Sequence, residues 1–214
     1  MSVAGAGSAC LERASIDECY VDVSAAVDAQ VAALEDGQGL EADRIVAATA
    51  IAHRILAALT ASRLQLRMSV GIAPNKLLAK LASTRAKLIA APECSGHGRL
   101  LAVSDEEDVA ALLSATRASK LPGLGSKTTQ LRQAGWDMVI DLQAASLQSL
   151  QEVLGITAAA ASLIWQRCRG IDHSLVREVT PQSTTVTSWL ASDLFSRLAL
   201  KRDEQDPLRA PLRG

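Results

Sequence analysis

The sequence predicts an α/β segment followed by a small all-helical unit. Three observations carry this. Residues 12 to 90 change apolar period in the order strand, helix, strand, helix. Pro92, Gly96 and Gly98 then make the chain irregular, which sets a boundary near residues 90 to 104. Beyond it, Gly135, Gly155 and Gly170 each close a short apolar helical stretch, and Ser146 and Thr157 stand where helix-opening caps stand.

The elements follow in order. Cys19 to Val23 alternates apolar and polar residues with β-branched side chains, the pattern of a half-buried strand. The run EDGQG, ending at Gly39, signals a loop. From Glu41 to about Ser62 the period changes: Ile45, Ala48, Ala52, Ile55, Leu56 and Leu59 recur at threes and fours on an Ala-rich background, an amphipathic helix. Leu64 to Ile72 (LQLRMSVGI) is a second strand, Pro74-Asn75 a turn, and Lys76 to Ser83 a second helix. Ser104 precedes Asp105, Glu106 and Glu107, an acidic first turn for a helix ending near Ser114. Residues 105 to 172 then form an all-helical unit. After Pro181 the pattern weakens: SWLASDLFSRLAL is one candidate helix, and KRDEQDPLRAPLRG is expected to be disordered.

Composition limits what the chain can do. Its 214 residues suffice for a buried core, but with three Trp, one Tyr and one Phe that core must be built from Ala, Leu, Val and Ile. Cys10, Cys19, Cys94 and Cys168 form no C-x-x-C pair, so neither a zinc site nor a disulfide framework is indicated, and a reducing compartment is expected. No apolar run approaches the ~20 residues that span a bilayer, and the N-terminus lacks the pattern of a signal peptide. The net charge is −1, but its distribution is uneven. Acids crowd residues 10 to 45, against Arg13 and Arg44 only. Arg117, Lys120, Lys127 and Arg132 fall in an acid-free run. One end suits cations and the other suits phosphates, unless both are ordinary solvated faces.

Three stretches carry chemistry. In ASIDECYVDVS, Asp17 and Glu18 are adjacent acids at a strand mouth. A regular strand would point them to opposite faces, so to meet one ion they must lie where the backbone bends. Hard carboxylate oxygens suit Mg²⁺, and a pair of such ions roughly 3.5–4 Å apart can stabilise the attacking and leaving oxygens of a phosphoryl transfer. Taken alone the pair reads more readily as a polar hairpin end, and Asp22 as a solvated strand residue. In SVGIAPNKLLAKLAS, Lys76 and Lys80 at i, i+4 share one helix face, which either meets phosphates or is solvated. In KLPGLGSKTTQLRQAG, glycines let the backbone approach a ligand, and the N–H groups of Gly125 to Thr128 open a helix beside Arg117, Lys120 and Lys127. This resembles a helix–hairpin–helix, which grips the sugar-phosphate backbone without reading sequence; an ordinary Gly-containing turn is the other reading. His53, His97 and His173 are scattered, and Trp136, Trp165 and Trp189 read as core anchors.

The order of these stretches resembles the Y-family translesion DNA polymerases. SIDECYVDVS is similar to their palm motif, SVGIAPNKLLAKLAS to the palm strand and helix that follow, and KLPGLGSKTTQLRQAGW to their thumb. WQRCRGIDHSLV, residues 165 to 176, resembles the thumb exit of the eta branch. The resemblance implies a partial palm over 10–95, a helical thumb with a helix–hairpin–helix over 100–178, and a truncated or disordered tail over 179–214. It implies Asp17 and Glu18 as catalytic metal ligands for two Mg²⁺ ions, with Ser15 beside them. Lys87 would contact the incoming nucleotide, although Leu88 stands where the family carries proline. Lys76, Lys80, Lys120, Gly123, Gly125, Ser126 and Lys127 would hold DNA. The partners implied are primer-template DNA and a deoxynucleoside triphosphate, with a sliding clamp for the full-length family protein and no membrane. The compartment implied is the nucleus.

The family's first metal-binding aspartate, its aromatic steric gate and its fingers would lie upstream of residue 1, and a little finger would begin after about residue 185. The expectation is therefore a palm remainder plus thumb that, alone, polymerises poorly or not at all. The rival readings are a non-catalytic DNA-binding module, a scaffold protein without salt-sensitive DNA binding, and another Y-family branch such as kappa or iota.

Overall fold

Antiparallel strands need only a short loop between them, whereas parallel strands need a crossover, and this chain uses both solutions. The computed structural model describes residues 10–33, 41–61, 68–89 and 98–177. Cys10–Arg13 (β1) and Cys19–Asp22 (β2) form an antiparallel hairpin, with Cys10 opposite Asp22 and Arg13 opposite Cys19. Helices Ser24–Val31 (α1) and Glu41–Ala61 (α2) follow. Met68–Ile72 (β3) crosses through helix Lys76–Ala86 (α3) to Gly98–Ala102 (β4), which pairs parallel with β3 from Met68–Gly98 to Ile72–Ala102.

The α3 helix starts where the sequence places it because Asn75 caps it: its side chain accepts the Leu78 N–H at 2.9 Å. It lies against β3 because residue 71 is glycine. A Cβ there would sit 2.0 Å from the Ala79 carbonyl oxygen and 2.5 Å from the Ser83 nitrogen. The α2 helix buries Ala48, Ala52, Leu56 and Leu59 along one face, the stripe expected from its period. Its Asp43–Ala61 stretch is nevertheless long and apolar enough to cross a membrane by length and composition, which corrects the expectation that no run approaches that length. His53 and Arg54 are exposed on the same helix while the opposite face is buried in protein.

The helical unit comprises Glu106–Ser114 (α4), 3-10 turns at Ala118–Lys120 and Gly125–Lys127, then Thr128–Gln133 (α5), Val139–Ala144 (α6), Leu147–Leu154 (α7) and Ala158–Arg167 (α8). The acidic first turn of α4 is Glu106, Glu107 and Asp108, capped by Asp105. Ser146 and Thr157 cap α7 and α8, accepting N–H groups of Ser149 and Ala160. Gly135, Gly155 and Gly170 all have positive φ, as helix-closing glycines do.

Three elements differ from expectation. The β1 strand and α1 were not anticipated, and β4 falls inside the stretch expected to be irregular. The boundary is also less sharp than expected. Leu77, Leu78, Leu81 and Ala82 of α3 share one continuous core with Leu112, Leu121, Leu124, Leu142, Leu150 and Leu154 of the helical unit, and Trp136 and Trp165 pack against it. The segment after α8 then packs back on β1 and on the turn before α3. The Asn75 amide donates to the Gly170 carbonyl at 2.8 Å, the Cys10 thiol to the Val176 carbonyl at 3.6 Å, and the Arg177 N–H to the Glu12 carboxylate at 2.7 Å. The expected start of a strand at Leu64, Cys94, His97, Trp189, the candidate helix at 188–200 and the tail lie outside the described residues.

Candidate functional site

The loop between β1 and β2 is five residues long, and Ala14 and Ser15 both donate N–H groups to the Glu18 carbonyl, at 2.9 and 3.1 Å. These bonds close a bend over Ser15, Ile16 and Asp17. Asp17 and Glu18 therefore leave the alternation of a regular strand, and both side chains are exposed. The Ser15 hydroxyl donates to Asp17 Oδ1 at 2.7 Å. That hydrogen bond, with the positive charges of Lys87 and Lys80 adding to it, holds the Asp17 carboxyl below its ordinary range.

The lysines of α3 face this hairpin, four residues apart on one side of the helix. Lys80 Nζ lies 2.8 Å from the Glu18 carboxylate, and that bond raises the lysine pKa. Lys76 Nζ lies 2.7 Å from Glu12 Oε1 and 4.8 Å from the centre of the Tyr20 ring. Lys76 and then the Arg177 N–H hold the Glu12 carboxyl below its usual range. Burial raises the Tyr20 phenol. Lys87 follows α3, with an exposed side chain, and its carbonyl accepts from Arg99.

The structure thus brings Glu18 and Lys80 into contact beside Asp17. Lys76 is set apart: with its side chain only 16% exposed and its ammonium on Glu12 and near the Leu175 carbonyl, it fastens the hairpin to α3 and to the segment after α8. Lys76 is the lysine expected to hold DNA that is here engaged by Glu12. Lys80 is likewise engaged, on Glu18, although it stays 38% exposed. Asp22 is not simply solvated, because it accepts the Ser24 N–H at 2.9 Å where α1 begins. Glu12 is the participant that sequence reasoning missed. It lies 64 residues from its lysine, and no local pattern marks it.

The carboxylate pair can be tested against Mg²⁺ on its donors. Hard oxygens on an exposed bend fit one ion that keeps positions for water and phosphate. Among the described residues no group of three or more His, Cys, Asp or Glu side chains gathers, so the residues present fit part of a two-ion site.

The second candidate surface is the turn before α5. Leu121 and Leu124 are buried at 2% and 0% exposure, while Lys120, Gly123, Gly125 and Ser126 are exposed and Lys127 is half-buried. Two leucines three apart thus anchor the loop into the core and turn its glycines outward. Gly123 has φ +93°, and Leu124 and Lys127 close successive turns onto the Leu121 and Leu124 carbonyls, both at 3.0 Å. The first N–H groups of a helical turn have no carbonyl one turn back, which leaves them to an outside acceptor.

Comparison with known proteins finds matches over both parts of the chain. Residues 1–84 match the impB/mucB/samB family and residues 119–172 match the thumb domain of DNA polymerase-iota. DNA polymerase IV of Colwellia psychrerythraea is 30% identical over 190 residues, covering 87% of this chain and 46% of that protein. DNA polymerase IV of Yersinia enterocolitica is 33% identical over 189 residues, covering 86% and 45%. DNA repair protein Rev1 of Drosophila melanogaster is 34% identical over 105 residues, 49% of this chain and 9% of that protein. The chain spans about half the length of the DNA polymerase IV relatives it matches. The fold is that of a solved Y-family DNA polymerase chimera, with a TM-score of 0.54 at 24% identity over 80% of this chain and 42% of the chimera. With two family matches in this order and the fold of a solved Y-family enzyme, this chain is similar to the Y-family DNA polymerases.

Proposed function

We propose that this chain serves translesion DNA synthesis: template-directed transfer of a nucleotide to a primer 3′-oxygen on damaged DNA. The observation that carries the reading is the placement of Asp17 and Glu18 on one exposed bend, with Lys80 of α3 reaching the Glu18 carboxylate. Carboxylates there can ligate a divalent ion, and lysines beside them can meet a triphosphate. Mg²⁺, when bound, would lower the barrier by stabilising the oxygens on which charge develops. Asp17, ionised and oriented by Ser15, and Glu18 would hold it. Lys87 would take the incoming nucleotide's phosphates, and Lys120, Gly123, Gly125, Ser126 and Lys127 would hold the primer-template backbone. A gathered set of two carboxylates is expected to organise two ions poorly, so extension by this chain alone should stay near background.

The test is Mg²⁺-dependent capture of a deoxynucleoside triphosphate on primer-template DNA, in wild type and in the Asp17→Ala/Glu18→Ala double variant. The reading predicts capture by wild type only, with duplex affinity equal in both. A non-catalytic DNA-binding module predicts equal duplex affinity and no metal-dependent capture in either. Primer extension above background by the purified chain, abolished in Asp17→Ala, would show that two carboxylates suffice.

The finer assignment to the eta branch rests on WQRCRGIDHSLV, and the nucleus and a sliding clamp as partner follow from that assignment alone. The DNA polymerase IV relatives support a second branch. Exchanging residues 165–176 for the corresponding segment of each branch and comparing lesion bypass in a complete enzyme would separate the two.

A further inference from the structure

The Arg167 side chain, in the last turn of α8, crosses 45 residues of sequence to reach the turn before α5. Its Nη1 donates to the Pro122 carbonyl at 3.0 Å. The same Nη1 lies 3.6 Å from where a Cβ on Gly123 would stand, so the guanidinium packs directly beneath the residue with φ +93°. Its Nε is buried and has no partner. The bond to the Pro122 carbonyl therefore ties the end of α8 to the turn before α5. Arg167 is half-buried beneath the loop, whereas Gly123, Gly125 and Ser126 face solvent.

From this geometry we infer that Arg167 is a positioning residue for the DNA-backbone hairpin. It pins the Pro122 carbonyl inward, which fixes the positive φ of Gly123 and turns the following N–H groups toward a phosphate. Its charge acts on the protein backbone and not on DNA. The inference rests on the proposed DNA-binding role of this turn.

Two measurements on the full chain test it, using Arg167→Met, which keeps the apolar stem, and Arg167→Lys, which keeps the charge. Hydrogen exchange at residues 123–127 needs no DNA. It should accelerate in Arg167→Met and recover in part in Arg167→Lys, with residues 147–167 unchanged as the sign that the fold survives. Duplex affinity, read by fluorescence anisotropy across a salt series, should fall about tenfold in Arg167→Met, the worth of roughly one charge-assisted hydrogen bond, with the salt slope unchanged. A slope shallower by about 0.9 would make Arg167 a phosphate contact and overturn the inference. So would unchanged exchange together with unchanged affinity. A wild-type chain without salt-dependent duplex binding overturns the DNA reading itself, and it does so before any variant is made.

Discussion

The acidic hairpin and the glycine turn are held by different forces. At the hairpin, Asp17 and Glu18 are exposed, and their setting comes from ion pairs and hydrogen bonds: Lys80 on Glu18, Ser15 on Asp17, Lys76 on Glu12. At the turn, Leu121 and Leu124 are buried in the core shared with α3, and the exposed atoms are mostly backbone. The proposed metal site would benefit from solvated, replaceable partners, since exposed pairs are weak. The proposed DNA-backbone turn, which would present N–H groups at fixed angles, would benefit from packing, which resists deformation. Breaking the core should therefore destroy the turn, and breaking the ion pairs should mostly spare the fold.

The largest expected effect is at the turn. Leu124→Ala empties a fully buried position and should cost about 2–5 kcal/mol in urea unfolding, with duplex binding lost in parallel. A variant that lost DNA binding without losing stability would show that the leucine acts otherwise than by packing. Next is Gly71→Ala, which forces a methyl group into the Ala79 and Ser83 backbone and should cost about 1–3 kcal/mol by prising α3 from β3. Because α3 carries Lys80, this is the one backbone change expected to harm the acidic end through packing.

Smaller still is Lys76→Met, at about 1 kcal/mol, because the pair it breaks is partly exposed. Its signature is in pH. Glu12 has a carboxyl depressed from a usual value near 4.5. Its contribution is therefore complete above that value and is lost as pH falls through the lower folded value. Wild type should lose this increment in acid. Lys76→Met should lose less over the same range, since the largest cause of the depression is gone. Equal acid sensitivity in the two proteins would contradict the pairing.

The sequence made the local elements of both regions legible, and it failed where partners are distant. The α2 stripe, the Asn75 turn and the glycines closing α7 and α8 follow from period and capping, which act within one or two turns. The α1 helix was invisible because only Val27 on it is buried, which leaves no apolar stripe to read. The four-residue β1 is defined by the strand it pairs with, and β4 by β3, 30 residues earlier at Met68–Gly98. The spacing of Lys76 and Lys80 showed that they share a face. Only the fold shows that this face meets Glu12 and Glu18 instead of solvent.

The smallest effect on stability should come from the carboxylates themselves. Asp17→Asn with Glu18→Gln should leave the unfolding midpoint close to that of wild type, as exposed substitutions do. That near-silence is what makes the pair a sharp probe of function. The decisive measurement is Mg²⁺ titration of this double variant and of wild type, with primer-template DNA and a deoxynucleoside triphosphate present, reading nucleotide capture and duplex affinity together. Loss of Mg²⁺-dependent capture, with duplex affinity and stability retained, is the predicted result. Capture that survives the double substitution would contradict the account, because the divalent ion would then be held elsewhere and the bend at Asp17 would be only the end of a hairpin.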